Sequence, residues 1–204
     1  MALRLHAVTV VDSAHESHVL HDGARAIAFR DLAAIVTDCE KFALDDPDPA
    51  LADQHRAIVD TVFKNQVVLP TPAGIVFRTE HVLTRWMELH YVALTDALSF
   101  VHDRVAARVH VGRGARNDKE ASADLAEPAG EIFRELRRRA VASVPLTTDH
   151  LAGIVLSAAF LVERELWIEF ERGFALARAA NPALRVDLTG PWAPYDFVRM
   201  QFGD

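Results

Sequence analysis

Alternating apolar and polar residues at the start of the chain predict a β-strand. Leu3, Leu5 and Ala7 alternate with Arg4 and His6, which is the period-two pattern of a strand with one buried face. On this pattern, Arg4 and His6 lie on the face opposite the core.

Further elements are predicted in the first half of the chain, including an extended segment that begins at 67–70 and ends at 74–77. The apolar stretches 25–29 and 32–37 predict a hairpin, and apolar residues at helical spacing predict helices over 50–65 and 79–100. His55 falls on the apolar side of the first helix. The second helix is expected to bury one set of side chains, namely Val82, Leu83, Trp86, Met87, Val92, Leu94 and Leu98.

The second half of the chain alternates strands and helices. The same patterns predict strands over 105–111, 140–146, 151–162 and 184–188, and helices over 120–138 and 163–180. The order strand, helix, strand, strand, helix, strand is that of the ferredoxin-like fold. We therefore predict an α+β protein of two small tandem domains. The first spans 1–101, and the second, 102–204, is ferredoxin-like (βαββαβ) with an extended C-terminal strap.

The strap is the proline- and aromatic-rich segment 190–197. Pro191 and Pro194 fix φ and lack a backbone N–H, so the segment is expected neither to continue a sheet nor to start a helix. Its aromatic residues are Trp192, Tyr195 and Phe197. Because each ring hides roughly 150–250 Å² when buried, we expect the rings mainly to hold the strap against the second domain, with direct contact to a partner as the alternative.

Composition and charge restrict the class of protein. Half of the 204 residues are hydrophobic and the formal net charge is -7, as expected for a globular protein with a sizeable core. Nucleic-acid binding requires a surplus of Lys and Arg on one face, so no nucleic-acid partner is predicted. The basic residues at 134–139 sit at a predicted helix end, where cations complement the helix dipole.

Cellular location follows from three sequence features. Cys39 is the single cysteine, so an intramolecular disulfide is excluded and a reducing compartment is favoured. The first residues lack the basic start and apolar core of a secretion signal. The longest apolar run, 151–162, is shorter than the about 20 residues of a membrane span. We expect a cytoplasmic protein without a membrane span.

Candidate catalytic and metal-binding residues are few. His15, His18 and His21 have the spacing of one helix face but lie in a polar stretch, with no carboxylate or cysteine pattern to complete a metal site. His55 is interpreted as a hydrogen-bonded core residue. Phosphate-binding loops, zinc-protease motifs and nucleophile elbows are absent from the sequence. No catalytic residue, metal or cofactor is therefore predicted.

Two segments resemble the gas vesicle protein family called L/F. Members of that family end in a strand followed by Gly-Pro-Trp-Pro-Pro-Tyr-Ser-Phe, and six of these eight positions agree here, with Ala193 and Asp196 as the departures. The second segment, 69–77, is similar to the family's Leu-Pro-Val-Arg-Phe-Gly-Thr-Val-Phe. The matching residues with candidate motif or partner-contact roles are Gly190, Pro191, Trp192, Pro194, Tyr195, Phe197, Leu69, Pro70, Gly74 and Phe77.

The resemblance implies an accessory protein of gas vesicles, the hollow protein shells that give some microbes buoyancy. Such a protein acts in vesicle assembly or as a minor shell constituent, and its partners are the small hydrophobic shell protein and other accessory proteins. The family implies no enzymatic activity. The alternative is a ferredoxin-like small-molecule-binding or enzymatic protein, with an interdomain pocket that uses His55 or the turn at Gly112.

Overall fold

The computed structural model describes residues 1–11, 23–40, 49–114, 125–148, 152–198 and 200. The chain divides into two units, each with an antiparallel sheet and helices. The first unit takes Met1–His102 together with the end of the chain from Ala193, and the second takes Asp103–Trp192. The strap was predicted to belong wholly to the second domain, but its residues from Ala193 onward pack in the first unit.

The described part of the first unit contains a five-stranded sheet. Its strands are β1 (Ala2–Val10), β2 (Arg25–Phe29), β3 (Leu32–Cys39), β4 (Val68–Pro70) and β5 (Val76–Phe77). Their order is β2-β3-β1-β4, and β5 also pairs with β1. The predicted hairpin is confirmed, with β2 and β3 paired from Arg25 and Val36 to Phe29 and Leu32.

Helices cover both faces of this sheet. They are α1 (Pro49–Phe63), α2 (Glu80–Leu89) and α3 (Tyr91–Val101). The smaller core cluster joins α1 to one face through Ala7, Ile35, Ile58, Val59, Val62, Val68 and Ala193. The larger cluster joins α2 and α3 to the other face through Leu3, Leu5, Val8, Ile27, Leu32, Ala34, Val36, Leu69, Phe77, Leu83, Trp86, Met87, Leu94, Leu98 and Val101.

Strand β1 departs from the predicted one-sided pattern. Its pairing with β3 is irregular between Leu5 and Ala7, so Leu5 faces the larger cluster and Ala7 the smaller one. His6 lies at the irregularity and is fully buried. The prediction that His6 lies opposite the core is wrong because α1 covers that face.

The predicted helix over 79–100 is broken at His90. Both the backbone N–H of His90 and its ring Nδ1 lie near the Trp86 carbonyl oxygen, at 3.1 Å and 2.8 Å. The ring therefore caps the end of α2, and a second helix starts at Tyr91. Two residues expected in the core, Val82 and Val92, are 46 % and 68 % exposed, since they lie outside the stripe formed by the buried residues of α2 and α3.

The described part of the second unit contains a four-stranded sheet. Its elements in chain order are β6 (Arg104–Arg113), α4 (Ala126–Arg137), β7 (Ala142–Pro145), β8 (Ile154–Glu163), α5 (Trp167–Ala180) and β9 (Leu184–Trp192). The strand order is β7-β8-β6-β9. Phe160 on β8 contacts Phe133 on α4 and Phe170 on α5, so both helices pack on one face.

Apolar helices long enough to cross a bilayer do not occur in the described parts of either unit.

Candidate functional site

The strap begins inside a strand, contrary to prediction. Strand β9 continues through Pro191 to Trp192, which pairs with Ala106 of β6. The register shifts between Ala106 and Arg108, so this bulge accommodates one extra residue of β9. Pro191 is compatible with the strand because β9 lies at the sheet edge, where a missing N–H need not break a ladder.

Gly190 is required by the geometry of the bulge. Its φ is +134°, in a region that side chains rarely adopt. A Cβ atom at this position would lie 2.8 Å from the Ala106 carbonyl oxygen and 3.1 Å from the Trp167 ring. The strap glycine therefore allows β9 to approach β6 closely.

Trp192 is a surface residue, although its ring was expected to be buried. It is 40 % exposed, and its indole N–H donates a hydrogen bond to the Thr189 hydroxyl at 3.2 Å. The residues from Thr189 to Trp192 are all exposed. The indole is thus oriented along an exposed edge strand instead of being enclosed in a core.

The rest of the strap belongs to the first unit. Ala193 is 1 % exposed and lies in the smaller core cluster, with Tyr195 packed against it. A short 3-10 helix covers Tyr195–Phe197, and the Phe197 amide donates to the Pro194 carbonyl at 3.1 Å. The expectation that no helix follows the prolines is therefore wrong for this single turn.

The second motif segment is mainly core. Leu69 is fully buried in β4, and Phe77 of β5 packs 5.5 Å from the Trp86 ring. Pro70 pairs with Ala7 in β4, and Gly74 has a φ of +96° in the turn that follows. Val68, the residue before this segment, lies in the smaller cluster with Ala193. Gly190, Pro191 and Trp192 lie in the other unit.

A buried polar cluster lies between α1 and the first sheet. The Nδ1 atoms of His6 and His55 are 3.0 Å apart, and His6 Nε2 is 3.0 Å from the Thr37 hydroxyl. His55 is 4 % exposed, which confirms its assignment to the core. The hydrogen-bonded partner, His6, was missed because the alternating pattern placed it on the solvent side.

Thr71 and Tyr195 surround the histidine pair with residues from both motif segments. The Thr71 amide donates to the His6 carbonyl at 3.0 Å, and its hydroxyl donates to the Leu5 carbonyl at 2.9 Å. The ring of Tyr195 lies 6.3 Å from that of His55. The segment that contains Leu69 and the strap therefore meet at this cluster.

Both histidines are held in the neutral form. Burial, the neighbouring His55 and the positive charge of Arg4 lower the pKa of His6 to about 3. Burial also lowers the pKa of His55, an effect that the Thr71 backbone opposes and Arg4 strengthens. The two facing Nδ1 atoms share one proton, since one must donate and the other accept.

A second histidine is hydrogen-bonded to a serine in the second unit. The Ser157 hydroxyl lies 2.7 Å from His110 Nδ1, across a paired position of β6 and β8. Ser157 is 3 % exposed, whereas a catalytic nucleophile must reach its substrate. This contact therefore fastens the two strands and does not form an accessible nucleophile and base.

The remaining candidate sites are the histidines at 15, 18 and 21 and the turn at Gly112. His15, His18 and His21 lie outside the described residues. Across 1–11, 23–40, 49–114, 125–148 and 152–198, no three His, Cys, Asp or Glu side chains converge as metal ligands would. The predicted turn at Gly112, named above as a candidate for small-molecule binding, is part of β6. The Arg113 amide donates to the Gly153 carbonyl at 3.1 Å, so this amide is not available to a ligand.

Comparisons with known proteins point to one family. The family model described as "Gas vesicle synthesis protein GvpL/GvpF" matches residues 7–124 and 108–199. The chain is 25 % identical over 185 residues to Gas vesicle protein F2 of Halobacterium salinarum, covering 88 % of this chain and 82 % of that protein. It is 36 % identical over 188 residues to Gas vesicle protein L of a Streptomyces species, covering 72 % and 68 %.

Two crystal structures share the fold. The gas vesicle protein GvpF of an Anabaena species superposes with a TM-score of 0.81 at 14 % identity, covering 100 % of this chain and 98 % of that one. GvpF of Microcystis aeruginosa gives a TM-score of 0.75 at 13 % identity, covering 98 % and 99 %. The mixed architecture with two antiparallel sheets is therefore shared along the whole chain.

Proposed function

Because this chain belongs to the gas vesicle synthesis protein GvpL/GvpF family, we propose that it is a cytoplasmic accessory protein that binds the gas vesicle shell protein during assembly. Other accessory proteins are further partners, and the growing vesicle is the place of action. The protein is not an enzyme in this proposal. The second unit serves as a ferredoxin-like scaffold that presents the contact residues.

The exposed ring of Trp192 carries this proposal. It is the strap aromatic that remains 40 % exposed, while the Leu69 and Phe77 side chains of the other motif segment are explained by the core of the first unit. Tryptophan is among the residues most often found at the energetic centre of protein interfaces. An accessible tryptophan at a motif position is therefore best explained by contact with a partner.

The local structure prepares Trp192 for binding. Its indole is already oriented by the hydrogen bond to Thr189, and the ring of Pro191 fixes φ of the residue immediately before it. A contact residue that is ordered before binding loses less conformational entropy in the complex. Gly190 and Pro191 are thus positioning residues for the tryptophan, and the binding surface is the end of β9.

The acidic charge of the chain suits a partner that must stay dispersed. Shell proteins of this family's vesicles are small and apolar, and exposed apolar strands associate readily. A partner with a formal net charge of -7 would oppose association of the complexes, because like charges keep proteins apart in solution. The protein would deliver the shell subunit while suppressing its premature assembly.

Co-purification tests the binding surface. An affinity-tagged copy of this chain is purified from a host that expresses the gas vesicle gene cluster, and the shell protein that it retains is quantified. We expect the wild type to retain shell protein and Trp192→Ala to retain about tenfold less, as for an interface hot spot. Val141→Ala is the matched control, because Val141 is another large apolar residue of the second unit and is 43 % exposed.

Two results would contradict the proposal. If the wild type retained no shell protein and a strain lacking the gene formed normal vesicles, the assembly role would be wrong. If Trp192→Ala retained as much shell protein as Val141→Ala, the role would stand but the binding surface would lie elsewhere. Electron microscopy of the deletion strain, which we expect to contain few intact vesicles, separates these outcomes.

A further inference from the structure

Beyond the binding of a shell protein, we propose that the His6–His55 pair is an acid-sensitive latch that fastens α1 and the end of the strap to the first sheet. In the closed state, the two rings join β1 to α1. Protonation of the rings favours an open state in which α1 and residues 193–198 leave the sheet while α2 and α3 stay packed.

The geometry of the pair excludes double protonation in the closed state. Two Nδ1 atoms 3.0 Å apart can hold one proton between them, with one ring donating and the other accepting. If both rings were cationic, two N–H groups would face each other at that distance. The closed pair therefore cannot be doubly protonated, whereas the separated rings can.

The surroundings of the pair do not stabilise a positive charge on either ring. From β1, the charged neighbour is Arg4, whose cation disfavours a further positive charge. From β3 the neighbour is the neutral Thr37 hydroxyl, from the segment after β4 it is Thr71, and from the strap it is the Tyr195 ring. Among the described residues, no carboxylate shifts the pKa of either ring, so none stabilises a histidinium there.

Helix α1 is held to the sheet by the smaller of the two core clusters. Its apolar contacts to the sheet are made mainly by Ile58, Val59 and Val62, while the larger cluster lies under α2 and α3. Buried apolar area is the main source of stability. Opening of the α1 layer is therefore the least costly way to expose the two rings to water, because the larger cluster keeps all its buried residues and loses only the partly buried Val198.

The direction of the pH effect follows from proton linkage. Both rings have lowered pKa values when closed, so the open state binds more protons below the ordinary histidine pKa near 6.5. The latch is closed above pH 6.5 and opens progressively as the pH falls toward the closed-state values. If both rings gain a proton on opening, the opening constant rises by up to about 100-fold for each pH unit below 6.5.

Hydrogen exchange with mass spectrometry tests the latch in the full chain. Exchange is measured at pH 7.5 and pH 5.0, with labelling times scaled for the intrinsic exchange rate. We expect protection of α1 and of 193–198 to fall by at least tenfold at the lower pH relative to α2 and α3. An equal loss of protection in all helices, or unchanged protection of α1, would overturn the proposal.

A non-titrating variant provides the second test. Asparagine retains a polar group at the δ position, so His55→Asn removes one proton-binding ring with little change in shape. We expect the pH dependence of α1 protection to fall to about tenfold per unit, while the exposed His81→Asn control keeps the wild-type dependence. If His55→Asn retained the full dependence, the pair would not be the latch, and if the variant failed to fold, the wild-type comparison would still decide.

Discussion

Trp86 and Trp192 are the same residue type in very different surroundings. Trp86 is 7 % exposed and packs against the rings of Phe77 and His90 at 5.5 Å and 5.2 Å. Trp192 is 40 % exposed and is held by one hydrogen bond. A side chain contributes to stability mainly through the area that folding removes from water, so the two residues have different roles.

The first residue-scale prediction compares these two tryptophans. Trp86→Ala removes a buried ring and should lower the free energy of unfolding by about 3–5 kcal/mol. Trp192→Ala should lower it by about 1 kcal/mol, because much of the ring is already in water. Urea unfolding of the two variants and the wild type measures both values. A loss at Trp192 as large as that at Trp86 would show that its ring is buried in solution.

A second residue-scale prediction concerns two glycines. Gly190→Ala should destabilise the second unit by on the order of 1–3 kcal/mol, because a φ of +134° disfavours alanine and its Cβ would meet the Ala106 carbonyl oxygen at 2.8 Å. Gly130→Ala is the control, since Gly130 lies in α4 with nothing within 4 Å of a Cβ. Alanine there should stabilise by about 0.5–1 kcal/mol. Thermal unfolding of the two variants shows whether each substitution raises or lowers stability. An unchanged unfolding midpoint for Gly190→Ala would contradict the close approach of β9 to β6.

At the scale of elements, regular patterns were predictable and local exceptions were not. The β2–β3 hairpin follows from two apolar runs joined by a short turn, and the core position of His55 follows from helix periodicity. The break at His90 depends on its ring reaching the Trp86 carbonyl. Periodicity does not report such a contact, because apolar residues continue at helical spacing on both sides.

The sequence singles out the strap as a candidate contact segment but does not reveal where each of its residues lies. The strap residues could be singled out because prolines and aromatics are unusual at the end of an alternating strand. The division of these residues between the two units could not be predicted, because it depends on the bulge opposite Ala106 and on the burial of Ala193. His6 was missed for a related reason, since the irregularity after Leu5 changes which face a residue occupies.

At the scale of the whole molecule, the chain passes from the first unit to the second and back. It leaves after His102 and returns at Ala193, so the second unit is an insertion within the first. The returning residues Ala193, Tyr195 and Val198 pack against the two core clusters of the first unit. The stability of the first unit therefore depends on residues far along the sequence.

Truncation tests this dependence. A chain ending at Trp192 lacks the returning segment, so we expect faster hydrogen exchange in α1 and β1, because the smaller cluster loses Ala193 and the packing of Tyr195. Exchange in α4 and α5 should stay at the wild-type level, since their unit is intact. Unchanged exchange in α1 would show that the returning segment contributes little to the first unit.

The insertion also sets an order of events during synthesis. A ribosome makes the chain from its N-terminus, so all of Asp103–Trp192 has been made before Ala193 is added. The second unit can therefore be finished while the first still lacks part of its core. The half of the protein that is translated first is the last to be completed, and until then the part of the smaller cluster that Ala193 and Tyr195 cover is open to other chains in the cell.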